Sequence, residues 1–499
     1  MTKQPAKKGT GVNPAEKYLA SLGKKSFLSL WSYPNVYYSP GKEFTDLLVV
    51  CGNDILIFQD KWSEFPDLTN IEVAWRRWFK RTVAGGAKQV WGAERLLRDL
   101  ASPLYLDAAC KTAFPIPIPN LTEASFHLIV VTHGGSVACQ ATMGGSGSFM
   151  IHMDLKGLEN HVQPFAIGDL DSARTFVHVM DDTTLDILMR TLDTITDFTS
   201  YLRKKETFLR GPVALLAAGE EELLANYLKH MNANQEHDFD FGALPAEGIS
   251  SVAVDEGFWT SFITNPQRLA QIEQDTISYL WDGLIERFNH HALEGTQYPL
   301  ADSTFTKGVS GMEQIVRFMA KESRFRRRYL SLSLKEMIET TPADQRRIRV
   351  LPPSTLKGGL CYVFLLFPLH LKVSYEDYRL VRARFLQGTC LVAKLKFPDA
   401  EHIVGIATES GFHNDGRSED ALYLDARKWT AEMQAEAQEF QTQFGVLVKP
   451  AEVRINAQEY PEVVSPDEFV RNPRNKPCPC GSGKKYKKCC LPKGRTFYN

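Results

Sequence analysis

Two short apolar runs near the start of the chain predict a β-hairpin. They cover residues 46–51 and 55–58, and Gly52-Asn53-Asp54 separates them. Glycine, asparagine and aspartate favour the tight turn that joins two antiparallel strands. Both runs are apolar at almost every position, so we expect a sheet that is covered on both faces. Asn13-Pro14 indicates a preceding helix, because asparagine caps a helix and proline suits its first turn.

The spacing of apolar residues along the rest of the chain predicts a mixture of helices and strands. Helical spacing predicts helices at 71–83 and 87–100 with a break at Gly85-Gly86, at 183–202, at 377–385 and at 428–444, and a mainly helical stretch from 211 to 340. Short apolar runs predict strands at 126–132, 175–180, 360–366, 390–396 and 403–407. The expected fold class is therefore mixed α/β with several domains.

Changes in these patterns divide the chain into four expected domains. An α/β domain at 10–205 precedes a mainly helical region at 206–345, a second α/β domain at 346–460 and a small C-terminal knuckle at 471–499. A chain of 499 residues has room for about three or four domains, each with its own core.

Composition indicates a soluble protein without a general affinity for DNA or membranes. Hydrophobic residues make up 43% of the chain and charged residues 23%, and the formal net charge is −1, so a preference for an anionic partner requires a local patch. We expect no membrane insertion, because the longest apolar run, Leu360 to Phe367, is too short to cross a bilayer. Five of the nine cysteines lie scattered in apolar surroundings, which favours reduced thiols and a cytoplasmic location.

A cysteine cluster near the C-terminus predicts a metal site. Its members are Cys478, Cys480, Cys489 and Cys490, and Gly481-Ser482-Gly483 provides a turn between the two pairs. Four converging thiolates form a tetrahedral site, and thiolate is a preferred ligand of Zn²⁺. We therefore predict a structural zinc site, with a disulfide pair or inert thiols as the alternatives. Four sulfur ligands leave no open metal position, so catalysis is expected elsewhere in the chain.

This segment resembles the SEC-C motif, a small zinc-binding tail of many otherwise unrelated bacterial proteins. The resemblance lies in the cysteine spacing, the Gly-Ser-Gly turn and the basic run from Lys484 to Lys488. The last ligand of that family is Cys or His, and Cys490 takes this place here. From Arg471 onward the chain carries nine Lys or Arg and no Asp or Glu. The resemblance and the charge together imply a docking segment for acidic protein or nucleic acid.

Polar side chains cluster at the open end of the predicted hairpin. Asp46 begins the first strand, Gln59-Asp60-Lys61 ends the second, and Glu43 lies shortly before Asp46. Alternate residues of a strand share a face, so Gln59 and Lys61 point to one side and Asp60 to the other unless the strand has already ended. Phosphodiester cleavage requires oxygen ligands for Mg²⁺ or Mn²⁺, an activated water and a nearby cation. These residue types meet those requirements.

This arrangement resembles the core of the PD-(D/E)xK, or restriction-endonuclease-like, superfamily in its Mrr-type variant. It consists of an Asp, a hairpin, a Gln-x-Lys sequence and a following helix. The resemblance implies catalytic roles for Asp46, Gln59, Lys61 and Glu43, with Mg²⁺ or Mn²⁺ held by Asp46 and Asp60. Glu16 on the first helix is a further candidate carboxylate. The alternative is that these residues are surface charges at strand ends.

Basic residues elsewhere suggest contacts with nucleic acid. Arg324, Arg326, Arg327 and Arg328 follow one another on a predicted helix, where they could grip a phosphate backbone. Lys88, on the helix after the hairpin, could extend the nuclease site. The alternative in both places is a solvent-exposed helix face.

These patterns support two functional hypotheses. The first is a metal-dependent nuclease that hydrolyses DNA or RNA and uses its zinc tail for docking, in defence against foreign nucleic acid by analogy. The second is a non-enzymatic adaptor whose tail recruits a chaperone, a ribosome or a translocation partner. The residue patterns distinguish neither DNA from RNA nor one oligomeric state from another.

Overall fold

The computed structural model shows a mixed α/β protein in which helices flank several β-sheets. It describes residues 9–99, 103–234, 236–239, 251–294, 309–353, 359–369, 373–411, 418–452, 458–461 and 484–489. The chain divides into two compact units, the first made of Met1–Phe262 and Asp275–Ile455 and the second of Ile263–Gln274 and Asn456–Asn499. Within the described ranges, every helix is too short or too polar to traverse a lipid bilayer.

Helices and strands alternate along the described chain. The α-helices are α1 (Pro14–Trp31), α2 (Ile71–Arg81), α3 (Val83–Asp99), α4 (Ser136–Met143), α5 (Asp182–Thr191), α6 (Ile195–Leu209), α7 (Glu220–Lys229), α8 (Phe258–Ile263), α9 (Pro266–Asp275), α10 (Tyr279–Glu294), α11 (Val309–Ala320), α12 (Arg324–Thr340), α13 (Tyr375–Lys396) and α14 (Ala431–Phe444). The β-strands are β1 (Ser32–Ser39), β2 (Lys42–Cys51), β3 (Asp54–Trp62), β4 (Ser125–His133), β5 (Met150–Lys156), β6 (Ala166–Asp169), β7 (Val177–Met180), β8 (Ala214–Ala217), β9 (Ser251–Val254), β10 (Arg347–Leu351), β11 (Leu360–Phe367), β12 (His402–Glu409) and β13 (Asp420–Asp425).

The first sheet contains the predicted hairpin. Its strand order is β1-β2-β3-β4-β7. Strand β2 is antiparallel to both β1 and β3, whereas β4 and β7 run parallel to β3. Helices α2 and α3 connect β3 to β4, as a parallel pair requires. The hairpin prediction is confirmed, since Cys51 pairs with Asp54 and Gly52 has a φ of 62°, which glycine adopts without strain.

Residues of β3 alternate between the two faces of this sheet. The Phe58 ring packs against Phe27 of α1, with ring centroids 6.1 Å apart, so Gln59 and Lys61 occupy the opposite face. Helix α3 covers that face closely, because a Cβ added to Gly86 would lie 3.3 Å from Lys61 Cγ. The stem of Lys61 is thus held between the strand and α3.

Two further sheets belong to the same unit. One has the order β6-β5-β8-β9, and its strands β8 and β9 fall in the stretch predicted to be mainly helical. The other has the order β10-β11-β12-β13. In it, β11 and β12 are parallel and α13 connects them. Buried side chains of the strands and of α13, including Val363 and Leu386, form the core of this region.

The second unit contributes few described residues. Within it, Arg268 Nη1 donates to Gln271 Oε1 at 2.5 Å on helix α9. Gln271 Nε2 in turn donates to Glu459 Oε1 at 2.9 Å. These bonds join α9 to the segment 458–461.

Three local predictions are wrong, each for a reason of packing or capping. The break between the two helices after β3 falls at Thr82 and not at Gly85-Gly86 as predicted. Gly85 and Gly86 lie inside α3, where Gly86 packs closely against the sheet. The predicted helix 183–202 is two helices, because the side chain of Thr194 caps a new helix, α6. Residues 390–396 continue α13. A buried helical segment is as continuously apolar as a strand, so its pattern was ambiguous.

Two glycines of α3 provide a matched test of this packing. A Cβ at Gly86 would lie 2.6 Å from Val130 Cγ1, whereas one at Gly92 would meet no atom within 4 Å. We expect Gly86→Ala to lower the free energy of unfolding by about 1–3 kcal/mol through overpacking. Gly92→Ala should raise it by about 0.5–1 kcal/mol, since alanine favours a helix. Urea denaturation checks both, and a stabilised Gly86→Ala variant would contradict the α3–β4 contact.

Candidate metal centre at the end of the first hairpin

Asp46 and Gln59 lie opposite each other on β2 and β3 and are hydrogen-bonded. Leu47 pairs with Phe58 in the register of these strands, so the two polar residues next to this pair share one face. Asp46 is only 7% exposed. Its Oδ2 accepts hydrogen bonds from Gln59 Nε2 and from the Asp60 N–H, the latter at 2.6 Å. The strand register therefore joins two of the predicted catalytic residues directly.

Burial and neighbouring charges shift the pKa of Asp46. Burial raises this pKa to about 7, and the Asp60 N–H and the Lys61 ammonium group oppose the shift. Glu43 and Glu16 contribute to this raised pKa, because neighbouring negative charges disfavour ionisation. The ionised Asp46 carboxylate is therefore poorly compensated by the protein alone.

Two further acids, Glu43 and Glu16, lie close enough to affect the charge of Asp46. Asn35 Nδ2 donates to Glu43 Oε1 at 2.7 Å and to Glu16 Oε2 at 3.2 Å, so one amide connects β2 with the first turn of α1. Burial raises the pKa of Glu43, the Asn35 hydrogen bond opposes this, and Glu16 adds to the increase. Sequence patterns did not indicate Asn35, because its position depends on an irregular β1–β2 register and a φ of 49°.

The donor atoms at this end of the sheet suit a divalent cation that keeps several of its waters. Mg²⁺ is usually held by one or two carboxylates together with water and substrate oxygens. Asp46, Glu43 and the amide oxygen of Gln59 supply oxygen donors of this kind. In the described part of the chain, no group of three or more His, Cys, Asp or Glu side chains could hold an ion by itself. Most ligands of such a cation would then be non-protein oxygens.

The carboxylate of Asp60 lies on the opposite face of β3, away from Gln59 and Lys61. Its Oδ1 is 3.1 Å from His133 Nε2, and His133 Nδ1 is 2.6 Å from Asp182 Oδ1. Burial lowers the pKa of His133, but the two carboxylates outweigh burial and raise it to about 9. Asp60 was predicted as a Mg²⁺ ligand. Its backbone N–H contacts Asp46, but its carboxylate contacts His133 on the other face.

The arginines of α12 lie mostly inside the protein. The ion pairs are Arg324–Asp193, Arg324–Asp282, Arg327–Asp282, Arg328–Asp275 and Arg326–Glu322. Arg324, Arg327 and Arg328 are buried, and Arg326 is half-buried. A buried guanidinium group that is paired with carboxylates cannot present its charge to a phosphate backbone. Arg324, Arg327 and Arg328 join α12 to aspartates that are distant in the sequence, which local patterns could not reveal.

Lys88 is exposed on α3. Gly86, two residues earlier, faces the sheet. Helical residues that are two apart point in different directions, so Lys88 points away from the face that carries Asp46.

The predicted zinc ligands lie almost entirely outside the described residues. Cys489 is described and half-buried, whereas Cys478, Cys480 and Cys490 are not among the described positions. A SEC-C motif occupies residues 474–492. The SEC-C motif is often a zinc-binding module, and this range contains all four cysteines. The family comparison returns no PD-(D/E)xK domain, and no curated protein or solved structure matches the chain.

The raised pKa of Asp46 makes a prediction about stability. The folded state holds a proton on Asp46 up to about pH 7, whereas an unfolded aspartate releases it near pH 4. The contribution of Asp46 to stability therefore falls as the pH rises through this window. We expect Asp46→Asn to match the wild type at pH 4 and to be more stable by about 2 kcal/mol at pH 8.

Urea denaturation at both pH values measures this difference. Asp67→Asn, at an exposed position, is the control and should follow the wild type at both pH values. An Asp46→Asn variant that is less stable than the wild type at pH 8 would contradict the assignment of Asp46 as a poorly compensated buried acid.

Proposed function

We propose that this protein is a metal-dependent nuclease that hydrolyses phosphodiester bonds of DNA or RNA at the end of the β2–β3 hairpin. The observation that carries the proposal is the contact between Asp46 and Gln59, with Lys61 on the same face of β3. Polar residues scattered over a surface would have no reason to share a partly buried hydrogen bond. The raised pKa of Asp46 further supports a functional role, since perturbed acids concentrate at functional sites.

The order of structural elements also supports this proposal. Helix α1 precedes the hairpin, Asp46 lies on β2, Gln59 and Lys61 lie on β3, and α2 and α3 follow. This is the order implied by the resemblance to the PD-(D/E)xK superfamily. We assign the activity to the region 10–205, and we assign the regions 206–345 and 346–460 to positioning of the substrate or a partner.

Asp46, Glu43 and Gln59 would hold Mg²⁺ or Mn²⁺ in the proposed site. When bound, the cation supplies Lewis-acid stabilisation and a water with a lowered pKa. Asp46 must be ionised to act as a ligand, and positive charge next to it favours that form. The Gln59 amide, which donates to Asp46, would have to rotate so that its oxygen faces the cation.

Lys61 supplies the positive charge that the reaction needs on the protein side. Its stem packs beside Gly86 of α3, and its ammonium group is close enough to lower the pKa of Asp46. A cation held in this position stabilises the negative charge that develops on the phosphate oxygens during attack by water. A phosphate group bound there would therefore be contacted by Lys61 directly.

The proposal predicts cleavage of nucleic acid that depends on a divalent cation. The purified full-length chain should cleave at least one of single-stranded or double-stranded DNA or RNA with Mg²⁺ or Mn²⁺, and EDTA should stop the cleavage. Asp46→Asn and Lys61→Gln should each lower kcat by about 100-fold or more. Asp46→Asn is a sharp test because it is expected to fold at least as well as the wild type.

Lys80→Gln, at an exposed position of α2, is the control for Lys61→Gln and should retain full activity. Wild-type protein that cleaves none of these substrates, or an Asp46→Asn variant as active as the wild type, would refute the nuclease assignment.

The SEC-C match favours an additional function for the tail. We propose that Cys478, Cys480, Cys489 and Cys490 bind one structural Zn²⁺ and that the tail docks the protein onto a partner. In the alternative hypothesis this docking is the whole function and the protein is a non-enzymatic adaptor. The basic residues that surround the cysteines suit an acidic protein surface or nucleic acid.

Metal analysis tests the zinc assignment. Mass spectrometry of the purified chain should find about one zinc per molecule, and Cys480→Ser combined with Cys489→Ser should remove it, because two remaining thiolates hold Zn²⁺ weakly. A Cys51→Ser variant, altered at a buried cysteine of β2, should keep its zinc. Zinc content unchanged in the double variant would contradict the ligand set.

A further inference from the structure

His133 lies between two carboxylates at the end of β4. Its Nδ1 is 2.6 Å from Asp182 Oδ1, and its Nε2 is 3.1 Å from Asp60 Oδ1. The other oxygen of Asp182 accepts a hydrogen bond from the Gly134 N–H at 3.0 Å. This arrangement joins the ends of β3 and β4 to the first residue of α5. The proposed nuclease mechanism assigns no role to His133 or Asp182.

Asp60 connects this arrangement to the candidate metal centre. Its carboxylate faces His133 on one side of the sheet, and its backbone N–H donates to Asp46 Oδ2 on the other side, at 2.6 Å. One residue of β3 therefore touches both sites. A displacement of Asp60 would move the N–H that holds Asp46 and would also disturb its neighbours Gln59 and Lys61.

The register of β2 with β3 ends at the Leu47–Phe58 pair, whereas β4 pairs with β3 as far as Trp62. Trp62, the last residue of the strand, is 70% exposed. Strand ends with few buried contacts open more readily than strand centres. Asp60 is buried, and its Oδ2 has no hydrogen-bond donor among the described residues. The Asp60 carboxylate is paired with the His133 side chain through Oδ1, and loss of that partner would leave a buried charge unpaired.

We propose that His133 is a positioning residue that, together with Asp182, holds Asp60 and thereby fixes the Asp46 carboxylate for metal binding. The consequence for catalysis rests on the proposed nuclease function. The positioning itself can be measured without any activity.

The same strands contain a matched control. His127 Nε2 lies 3.1 Å from Asp54 Oδ1 near the other end of β3 and β4. This pair lies on the same face as His133 and also joins a β4 histidine to a β3 aspartate. His133 is six residues farther along β4 than His127, which corresponds to about 20 Å in a strand. Loss of His127 should weaken the sheet without affecting the surroundings of Asp46.

Amide hydrogen exchange of the full-length protein tests the positioning. We expect His133→Gln and Asp182→Asn to accelerate exchange of the Asp60 N–H by about tenfold or more, after correction for global stability. His127→Gln should leave that rate at the wild-type value. Wild-type exchange at Asp60 in His133→Gln, or equal acceleration in His127→Gln, would overturn the proposal.

Kinetic measurements test whether the positioning serves catalysis. His133→Gln should lower kcat by about 10-fold to 100-fold with KM changed less than twofold, because misplacement of a reacting group affects the chemical step. A kcat equal to that of the wild type in a variant with accelerated exchange would overturn the positioning role. If the wild type cleaves no substrate, the nuclease proposal fails, and the exchange comparison alone decides whether His133 holds Asp60.

Discussion

The candidate site depends on one buried carboxylate and the strand pair that holds it. Asp46 on β2 accepts hydrogen bonds from the side chain of Gln59 and the main chain of Asp60, both on β3. These bonds exist because the two-residue turn after Cys51 sets the register of the hairpin. A shift of one residue would move Gln59 and Lys61 to the face that packs against α1. The turn, the register and the chemistry are therefore linked.

The same carboxylate carries an energetic conflict. Burial and the charges of Glu43 and Glu16 disfavour its ionised form, whereas Lys61 and a backbone N–H favour it. An uncharged residue in place of Asp46 would remove this conflict. A bound divalent cation would resolve the conflict, because its positive charge offsets the negative charge that the protein leaves uncompensated. The raised pKa of Asp46 is thus compatible with a cationic ligand at this position.

Local sequence patterns predicted the hairpin and the grouping of Asp46, Gln59 and Lys61 at its open end, because turn residues and strand alternation act over a few positions. They could not predict the roles of His133 and Asp182, since those depend on which strand lies beside β3. The arginines of α12 were misinterpreted for a similar reason, as their aspartate partners are far away in the sequence. The terminal cysteines could be predicted as a metal site from local sequence, because one short motif contains all four predicted zinc ligands.

Manganese tests the central claim most directly, because Mn²⁺ can replace Mg²⁺ and is visible by its anomalous scattering. A crystal of the full-length protein soaked in Mn²⁺ should show an anomalous peak at coordination distance from a carboxylate oxygen of Asp46, and an Asp46→Asn crystal should lack it. If the wild-type crystal shows no peak beside Asp46 while zinc is present in the C-terminal tail, the hairpin is not a metal centre.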